Sequence, residues 1–133
     1  MPAWGNYMLD KGFVVAAGQT LTKFRAVKLS GNSEEVTPVT AITDSPIGFA
    51  QFGVTVAEIA RGKGASVRVW GVTEAEANGA IAIGQLCTLE TTGVVSPLVG
   101  ASGKRIVGQC VGSPSTNAGD RIALLLFHGA ALA

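Results

Sequence analysis

Short stretches of β-branched and other apolar residues, separated by glycine, proline, asparagine and aspartate, make up most of the chain. Turn-forming residues recur roughly every 8 to 12 residues, a spacing typical of β-sandwiches and β-barrels. No long stretch has the periodicity of a helix. The pattern predicts the following strands: Phe13–Ala16, Ala26–Leu29, Val36–Thr40, Ile47–Phe52, Ser66–Val72, Leu86–Leu89, Val94–Leu98, Ile106–Val111 and Arg121–Phe127.

Two of the predicted strands differ in the number of their apolar faces. In Ser66–Val72, valines alternate with Arg68 and Trp70, so we expect the valines to face the core and the other two to face outward. In the last predicted strand, Leu125 and Phe127 make the second face apolar as well. Such a strand is central in a sheet or covered by a neighbouring subunit. We therefore expect Leu125 or Phe127 to lie near a subunit contact.

Two short segments have the features of a helical turn. Thr73 followed by Glu76 fits a capping box, with Gly79 placed to end the turn. The segment Ala57–Arg61 has the length of one turn before Gly62. Neither segment is long enough to form a stable helix without tertiary support. The sequence therefore predicts an all-β chain with short helical turns at most.

A faint internal repeat links the two halves of the chain at an offset of about 60 residues. The matching segments keep their order: Gly18–Leu21 with Gly84–Leu86, Val36–Val39 with Val95–Leu98, Ile47–Gly48 with Val107–Gly108, and Gly64–Val69 with Gly119–Leu124. This order predicts two similar β units in one closed or wrapped sheet. Chance similarity between glycine-rich β segments is the alternative. Two repeats are too few for a solenoid.

The composition predicts a surface with unusually few charged residues. The chain has 133 residues, of which 14% are charged and 18 are glycine, with a net charge of +1 and a mean hydropathy of +0.39. Typical soluble domains are about 25% charged and about 7% glycine. Solubility normally depends on a charged surface without large apolar patches. We therefore expect part of this surface to be covered by copies of the chain or by a partner.

Charge and hydropathy also argue against two classes of partner. The ten Lys and Arg residues are scattered and nearly balanced by nine acids, whereas nucleic-acid binding needs clustered cations. The N-terminus lacks the basic and continuous apolar regions of a secretory signal, and no run reaches the roughly 18 apolar residues of a membrane span. We therefore expect no nucleic acid and no membrane among the partners.

Candidate catalytic chemistry is sparse. Cys87 and Cys110 lie in apolar strand-like stretches and are expected to be two reduced core cysteines, with a disulfide as the alternative. His128 is the only histidine, so a triad or a histidine-based metal site would have to be built around it. The pair Gly103–Lys104 lacks the other residues of a phosphate-binding loop. The sequence predicts no enzyme and no catalytic, metal or cofactor site.

The order of several segments resembles a known family. These segments are GFVVAA, GQTLTKFRAVKLSG, PIGFAQFGVTVAEIARGKGASVRVWGVTEAE, IGQLCTLETTGVVSP and IVGQCVGSPSTNAGDRIALLL. In this order they are similar to the small decoration, or capsid cement, proteins of tailed bacteriophages, from about Gly12 to Gly129. Each segment is weakly specific, because most of the shared residues are glycines and alternating valines.

The resemblance implies a fold and a place in the virion. The expected fold is a compact β-barrel or β-tulip-like domain. Such proteins sit as homotrimers on the outer face of the head, bind the major capsid protein at threefold positions and stabilise the shell. The protein would be made in the host cytoplasm. A clamp of this kind acts through many weak contacts repeated over a lattice, which fits a surface without catalytic chemistry.

The residues before the β domain form a predicted N-terminal arm, residues 1–11, ahead of a single domain at 12–133. The arm carries Trp4, Tyr7, Met8 and Leu9 outside any strand pattern, and large apolar side chains of this kind are unusual in a disordered terminus. They are expected to dock on the chain's own barrel or on the capsid or a neighbouring subunit. The full predicted interface comprises Trp4, Tyr7, Met8, Arg68, Trp70, Leu125 and Phe127.

Two other function classes remain open at this point. A different virion subunit, such as a tail-tube, head-fibre or adaptor protein, fits the same composition. A small β module that binds a ligand or glycan would need a concave pocket lined by aromatic residues. Aromatic residues make up only 6% of the chain and are dispersed along it, which disfavours this second class.

Overall fold

The computed structural model describes residues 8–98 and 104–131, of which 129–131 are described by their backbone alone. This part of the chain forms ten strands and one short helix. The elements are β1 (Leu9–Val15), β2 (Ala26–Leu29), β3 (Glu35–Pro38), β4 (Pro46–Ala50), α1 (Val56–Ala60), β5 (Ala65–Trp70), β6 (Val72–Asn78), β7 (Leu86–Leu89), β8 (Val95–Pro97), β9 (Arg105–Gly112) and β10 (Ala118–Ala131).

The strands form two closed barrels with the same connectivity. The first barrel has the order β1-β3-β2-β4-β5, and the second has the order β6-β8-β7-β9-β10 with β10 closing onto β6. Each barrel contains one parallel pair, β1 with β3 and β6 with β8. The predicted all-β class with two similar halves is confirmed. Each half closes on itself, so the halves do not share one wrapped sheet.

The register of the strands shows which parts of the sequence repeat were aligned correctly. Val36 and Val95 are equivalent, because they pair with Leu29 and Leu89 at the same place in each barrel. The proposed matches of Gly84 with Gly18 and of Leu124 with Val69 are wrong. Leu124 pairs with Cys110 where Val67 pairs with Ala50, so Leu124 corresponds to Val67. The Gly84 amide donates to the carbonyl of Cys110, and the Phe24 amide donates to the carbonyl of Ala50, at the same place in each barrel. Gly84 therefore corresponds to Phe24. Both residues have positive φ, but a phenylalanine does not reveal this in a sequence.

The predicted helical turn from Thr73 to Gly79 is also wrong, since β6 occupies this segment. Its residues pair with β10, and Thr73, Ala75 and Ala77 alternate into the core of the second barrel. Strand preference depends strongly on such tertiary pairing, which overrides the local capping pattern. The other predicted turn is confirmed at α1, where the Thr55 hydroxyl accepts from the Glu58 amide and the Glu58 carboxylate accepts from the Thr55 amide.

Each barrel has its own core, and the two cores meet. Val15, Val27, Val36 and Val67 are among the residues that fill the first barrel. The core of the second barrel also includes three residues from the outside of the first: Ala26, Val39 and Phe49. Burying a phenylalanine side chain stabilises a fold by roughly 1.5–3 kcal/mol. Contact between the barrels is therefore part of the hydrophobic core.

Main-chain hydrogen bonds reinforce this contact. The Ala26 amide donates to the carbonyl of Gly93 at 2.9 Å, and the Glu76 amide donates to the carbonyl of Phe24 at 3.0 Å. The Arg25 guanidinium also pairs with the Glu76 carboxylate at 3.0 Å. Bonds of this kind satisfy backbone groups that would otherwise be unpaired at a buried boundary.

Strand β1 begins inside the predicted arm. Leu9 pairs with Trp70, and Asp10 pairs with Arg68 across the β1–β5 ladder. Leu9 was expected to lie outside any strand pattern, and this expectation is wrong. A register shift between Leu9 and Asp10 disguises the alternation that a regular strand would show. Trp4 and Tyr7 lie outside the described residues.

Candidate interaction surface

Four exposed apolar side chains gather where the first barrel continues into the second. We call this surface the junction patch and define it as Met8, Leu9, Trp70 and Val72, each of which is exposed. The register places Leu9 beside Trp70 on the same outer face. Val72 follows after Gly71, whose positive φ turns the chain between the barrels. Large exposed apolar side chains that cluster in this way mark interaction sites.

Trp70 is the most exposed member of the patch at 60%, yet its ring has a defined orientation. The His128 ring stacks on it with centroids 6.0 Å apart and an interplanar angle of 5°. The Nε2 atom of His128 lies 2.6 Å from the carbonyl oxygen of Val69, so that nitrogen carries the hydrogen and donates it. A side chain oriented before binding loses less entropy when a partner covers it.

Arg68 lies beside the junction patch and forms hydrogen bonds that hold its strands in place. Its Nε and Nη2 atoms donate to the two carboxylate oxygens of Asp10 at 2.7 and 3.0 Å, and Nη1 donates to the carbonyl of Val72 at 3.2 Å. The hydrogen bonds from Arg68 lower the pKa of Asp10, and Asp10 in turn raises the pKa of Arg68. The charge of Arg68 is therefore matched within the chain. The residue ties β1, β5 and the start of β6 together.

Of the predicted interface residues that the structure describes, Arg68, Trp70 and Leu125 lie near one another, at the ends of β5 and β6. Arg68 and Trp70 face outward from β5, as the alternation predicts, while Val67 is fully buried. Leu125 pairs with Val72 across β10 and β6, so it lies next to the patch. Leu125 and Phe127 are half-buried.

Two members of the junction patch, and the histidine that stacks on it, were absent from the predicted interface. Leu9 and Val72 join it only through strand pairing, and His128 joins it through stacking across the two barrels. The single histidine was expected to be an end-of-strand residue, and it does lie near the end of β10. Its separation from Trp70 along the chain leaves no local signal for the stack.

The charged residues around the barrels are mostly paired. Six of the ten Lys and Arg residues form ion pairs with carboxylates. The pairs are Lys11–Glu34, Arg25–Glu76, Lys28–Asp44, Lys63–Glu58, Arg68–Asp10 and Lys104–Glu90. Exposed pairs such as Lys11–Glu34 contribute little stability, typically about 0–1 kcal/mol each. Because the paired charges largely cancel, the surface has little net electrostatic potential.

Groups with possible chemical reactivity are buried or dispersed. Cys87 and Cys110 are free thiols inside the second barrel, as expected, and burial raises the pKa of Cys87 to about 12. Within residues 8–98 and 104–131, no three His, Cys, Asp or Glu side chains are grouped to hold a metal ion. In the same part of the chain, no helix has the length and hydropathy to span a membrane.

A cleft of about 310 Å³ lies beside the contact between the barrels. Five threonines contribute to its wall: Thr20, Thr22, Thr40, Thr91 and Thr92. Arg25 also lines it, but its guanidinium is already paired with Glu76. The lining contains no aromatic side chain, which is the feature that a glycan-binding module would need. The cleft therefore does not favour the ligand-binding alternative.

The comparisons with known proteins include a match to a solved structure. No protein-family model matches the chain, and no curated protein matches it. Among solved structures, the fold is similar to that of the N base of head fibre gp8.5 in bacteriophage phi29, with a TM-score of 0.65. The two share 17% sequence identity over 90% of this chain and 94% of that one. The likeness shows a shared fold over nearly the whole length of both chains.

Proposed function

We propose that this chain is a structural protein of a tailed-bacteriophage virion that sits on the outer surface of the head. It forms a homotrimer, binds the major capsid protein and stabilises the shell as a cement protein. The observation that carries the proposal is the near full-length likeness to the base of a phage head fibre. The sequence resemblance to capsid cement proteins supports the same location independently. The proposal assigns the chain no catalytic role.

The junction patch is the surface that we assign to the capsid contact. It is apolar, it includes a pre-oriented tryptophan, and the neighbouring Arg68 charge is matched by Asp10. Tryptophan is among the residues that most often dominate binding energy at interfaces. A trimer would present three such patches at once, so modest individual contacts would combine into strong binding.

The same likeness favours a second form of this proposal, in which the chain is the base of a head fibre. Both forms place the protein on the head, and they differ in what stands above it. A cement protein ends as a low knob at the shell surface, whereas a fibre base supports a projecting fibre. Imaging of assembled particles separates the two.

The test is sedimentation of purified protein with purified empty shells, both expanded and unexpanded, of the phage that encodes it. We expect the wild-type chain to sediment with shells. Trp70→Ser should weaken binding by about 30-fold or more, corresponding to about 2 kcal/mol for a buried tryptophan contact. The matched control is Val56→Ser on α1, which removes another exposed apolar side chain and should bind normally.

Two results would count against the proposal. If the wild-type chain stays in the supernatant with both shell forms, the capsid role is wrong. If the wild-type chain binds and Trp70→Ser binds equally well, the role stands but the assignment of the junction patch is wrong. Far-UV circular dichroism of both variants confirms that each has the fold of the wild type.

A further inference from the structure

Phe24 has a backbone conformation that its residue type normally avoids. Its φ is +62°, and the equivalent residue of the second barrel, Gly84, has a φ of +90°. A bulky residue rarely adopts this region, because its Cβ crowds a neighbouring carbonyl oxygen, whereas glycine adopts it freely. The first barrel therefore has a phenylalanine at a position where the second barrel has the residue best suited to the backbone.

Core packing does not account for this phenylalanine. Its side chain is buried, yet among the described residues it belongs to neither of the apolar clusters that fill the barrels. Two cations lie over its ring instead: the Nζ atom of Lys23 and the Cζ atom of Arg121 are each 4.7 Å from the ring centroid. The electron-rich face of an aromatic ring attracts a cation in this position. Residues with strained backbones cluster at functional sites.

The two cations, which we call the cation pair, are not matched by carboxylates. Lys23 and Arg121 are exposed, and within residues 8–98 and 104–131 neither forms an ion pair. Glu76 lies opposite Arg121 in the strand register, but its carboxylate already accepts hydrogen bonds from the Arg25 guanidinium. Because both cations lie over one ring, their charges are within about 10 Å of each other, close to the Debye length at physiological salt.

Arg121 lies on the same outer face of the second barrel as part of the junction patch. Ile122 and Leu124 point into the core, so Arg121 and Leu125 point outward, and Leu125 pairs with Val72 of the patch. Four residues of a strand span about 13 Å, which separates the cation pair from the patch. A standard interface, of roughly 800 Å² on each partner, is large enough to cover both.

We propose that the cation pair binds an acidic side chain of the partner, so that one interface combines this carboxylate contact with the apolar contact at the junction patch. The inference rests on the proposed function, in which the partner is the major capsid protein. It adds the chemistry of the partner's surface: a carboxylate that lies about 13 Å from an apolar area.

The chemistry of the cation pair fits a carboxylate. A guanidinium donates two parallel hydrogen bonds to the oxygens of a carboxylate, and a nearby lysine adds a third donor and a second charge. Arg25 and Glu76 form such a pair beside the same ring, with distances of 3.3 and 3.0 Å. Glu74, exposed one pair further along β6, limits the positive charge of this face. A single carboxylate therefore fits better than a polyanion, which needs many clustered cations.

Phe24 is a positioning residue in this account. Its ring holds the two cations near each other before binding, which reduces the entropy that the long side chains lose when the carboxylate arrives. Its main chain fixes the ring at the boundary between the barrels, because the Phe24 amide donates to the Ala50 carbonyl and the Phe24 carbonyl accepts from the Glu76 amide. One cation from each barrel is thus brought to a single site.

The first test measures the affinity of the full chain for empty shells at about 50 and about 500 mM NaCl, a range over which exposed charges become screened. Lys23→Gln and Arg121→Gln should each weaken binding by about five-fold at the lower salt concentration and have little effect at the higher one. The matched control is Arg61→Gln, which removes another exposed cation at the end of α1 and should bind like the wild type. Circular dichroism establishes that each variant is folded.

Phe24→Gly separates positioning from charge. This variant keeps both cations and introduces the residue type that the second barrel has at the equivalent position. We expect it to fold and to bind shells about as weakly as Arg121→Gln at low salt. Should it not fold, the two glutamine variants still decide the inference. Shell binding by Lys23→Gln and Arg121→Gln equal to that of the wild type at low salt would overturn it.

The second test does not use shells. The ¹⁵N-labelled full chain is titrated with an acetylated triglutamate peptide at low salt, and the side-chain Nε–Hε resonances of its arginines are followed. The Arg121 resonance should shift saturably in the wild type and much less in Phe24→Gly, while the Arg61 resonance should stay in place. A titration in which Arg121 does not shift, or shifts no more than Arg61, would overturn the inference.

Failure of this inference is distinguishable from failure of the proposed function. A chain that binds the peptide at Arg121 but never sediments with shells would contradict the virion role alone. A chain whose shell binding depends on Trp70 but not on Lys23 or Arg121 would contradict the role of the cation pair alone.

Discussion

Gly48 and Gly108 occupy equivalent positions in the two barrels, and at each of them a neighbouring carbonyl oxygen fills the place of a Cβ atom. The oxygen belongs to Arg68 at Gly48 and to Leu125 at Gly108. Both glycines lie next to a register shift, where the second and fourth strands of their barrel pair irregularly. Close approach of this kind requires a residue without a side chain.

Alanine at either glycine should therefore destabilise the fold. We expect Gly48→Ala and Gly108→Ala each to lower the free energy of unfolding by about 1–3 kcal/mol, the usual cost of forcing extra atoms into a packed site. The control is Gly12→Ala, whose Cβ would lie 4.0 Å from the carbonyl oxygen of Ala65. Urea denaturation of the three variants measures this, and equal stability of all three would show that the barrels relax at these positions.

Acid should weaken the fold through carboxylates whose pKa lies below its usual value. Burial raises the pKa of Asp44, but the Thr40 and Ala41 amides and the Lys28 ammonium donate hydrogen bonds that outweigh burial, so the pKa is lowered overall. A group with a depressed pKa stabilises the fold above its unfolded pKa. That contribution is lost as the pH falls from about 4 toward the folded pKa.

We accordingly expect the free energy of unfolding to be flat from about pH 5 to 7 and to decline below about pH 4. Asp44→Asn should lower stability at neutral pH by about 1 kcal/mol, because it weakens hydrogen bonds to a charged acceptor. It should also make the acid decline shallower. Glu74→Gln, which changes an exposed carboxylate, serves as the control. A variant with an unchanged acid slope would show that Asp44 does not contribute to it.

The two cysteines should be inert in the folded protein. Both are fully buried and so shielded from reagents, and burial raises the pKa of Cys87 to about 12, so almost none of the Cys87 thiol is ionised at neutral pH. We expect Ellman's reagent to label neither thiol in the native chain and both thiols in denaturant. A Val56→Cys variant provides an exposed thiol that should react rapidly. Labelling of no thiol in denaturant without reductant would reveal a disulfide instead.

Removal of residues 1–7 tests the role expected for Trp4 and Tyr7. Because β1 begins at Leu9, this truncation leaves the strand and the ion pair between Asp10 and Arg68 intact. We expect a nearly unchanged melting temperature and a clear loss of affinity for shells. A variant that melts much earlier, while its folded fraction binds shells at full strength, would instead place the two aromatic residues in the core.

The sequence predicted those strands whose apolar residues are β-branched or large. The bounds of β2 and β7 match the prediction, because alternating valine or leucine identifies a half-buried strand. Strand β6 was missed because alanine has little strand preference and Thr73 with Glu76 imitates a helix cap. Only pairing with β10 shows that Ala75 and Ala77 belong in a core.

The candidate site was predictable to a similar extent. Alternation along β5 was enough to place Arg68 and Trp70 on an outer face. Their partners, Asp10 and His128, are distant in the chain and come into contact only through strand register and barrel packing. The repeat indicated that the halves are similar, but only the hydrogen bonds show that Leu29 and Leu89 are equivalent.

The most direct measurement of the central claim is an electron cryomicroscopy comparison of phage particles assembled with and without this protein. The account predicts difference density on the outer surface of the head, of a size that fits three two-barrel chains, with the junction patch toward the shell. Density confined to the tail, or no difference at the head surface, would contradict it.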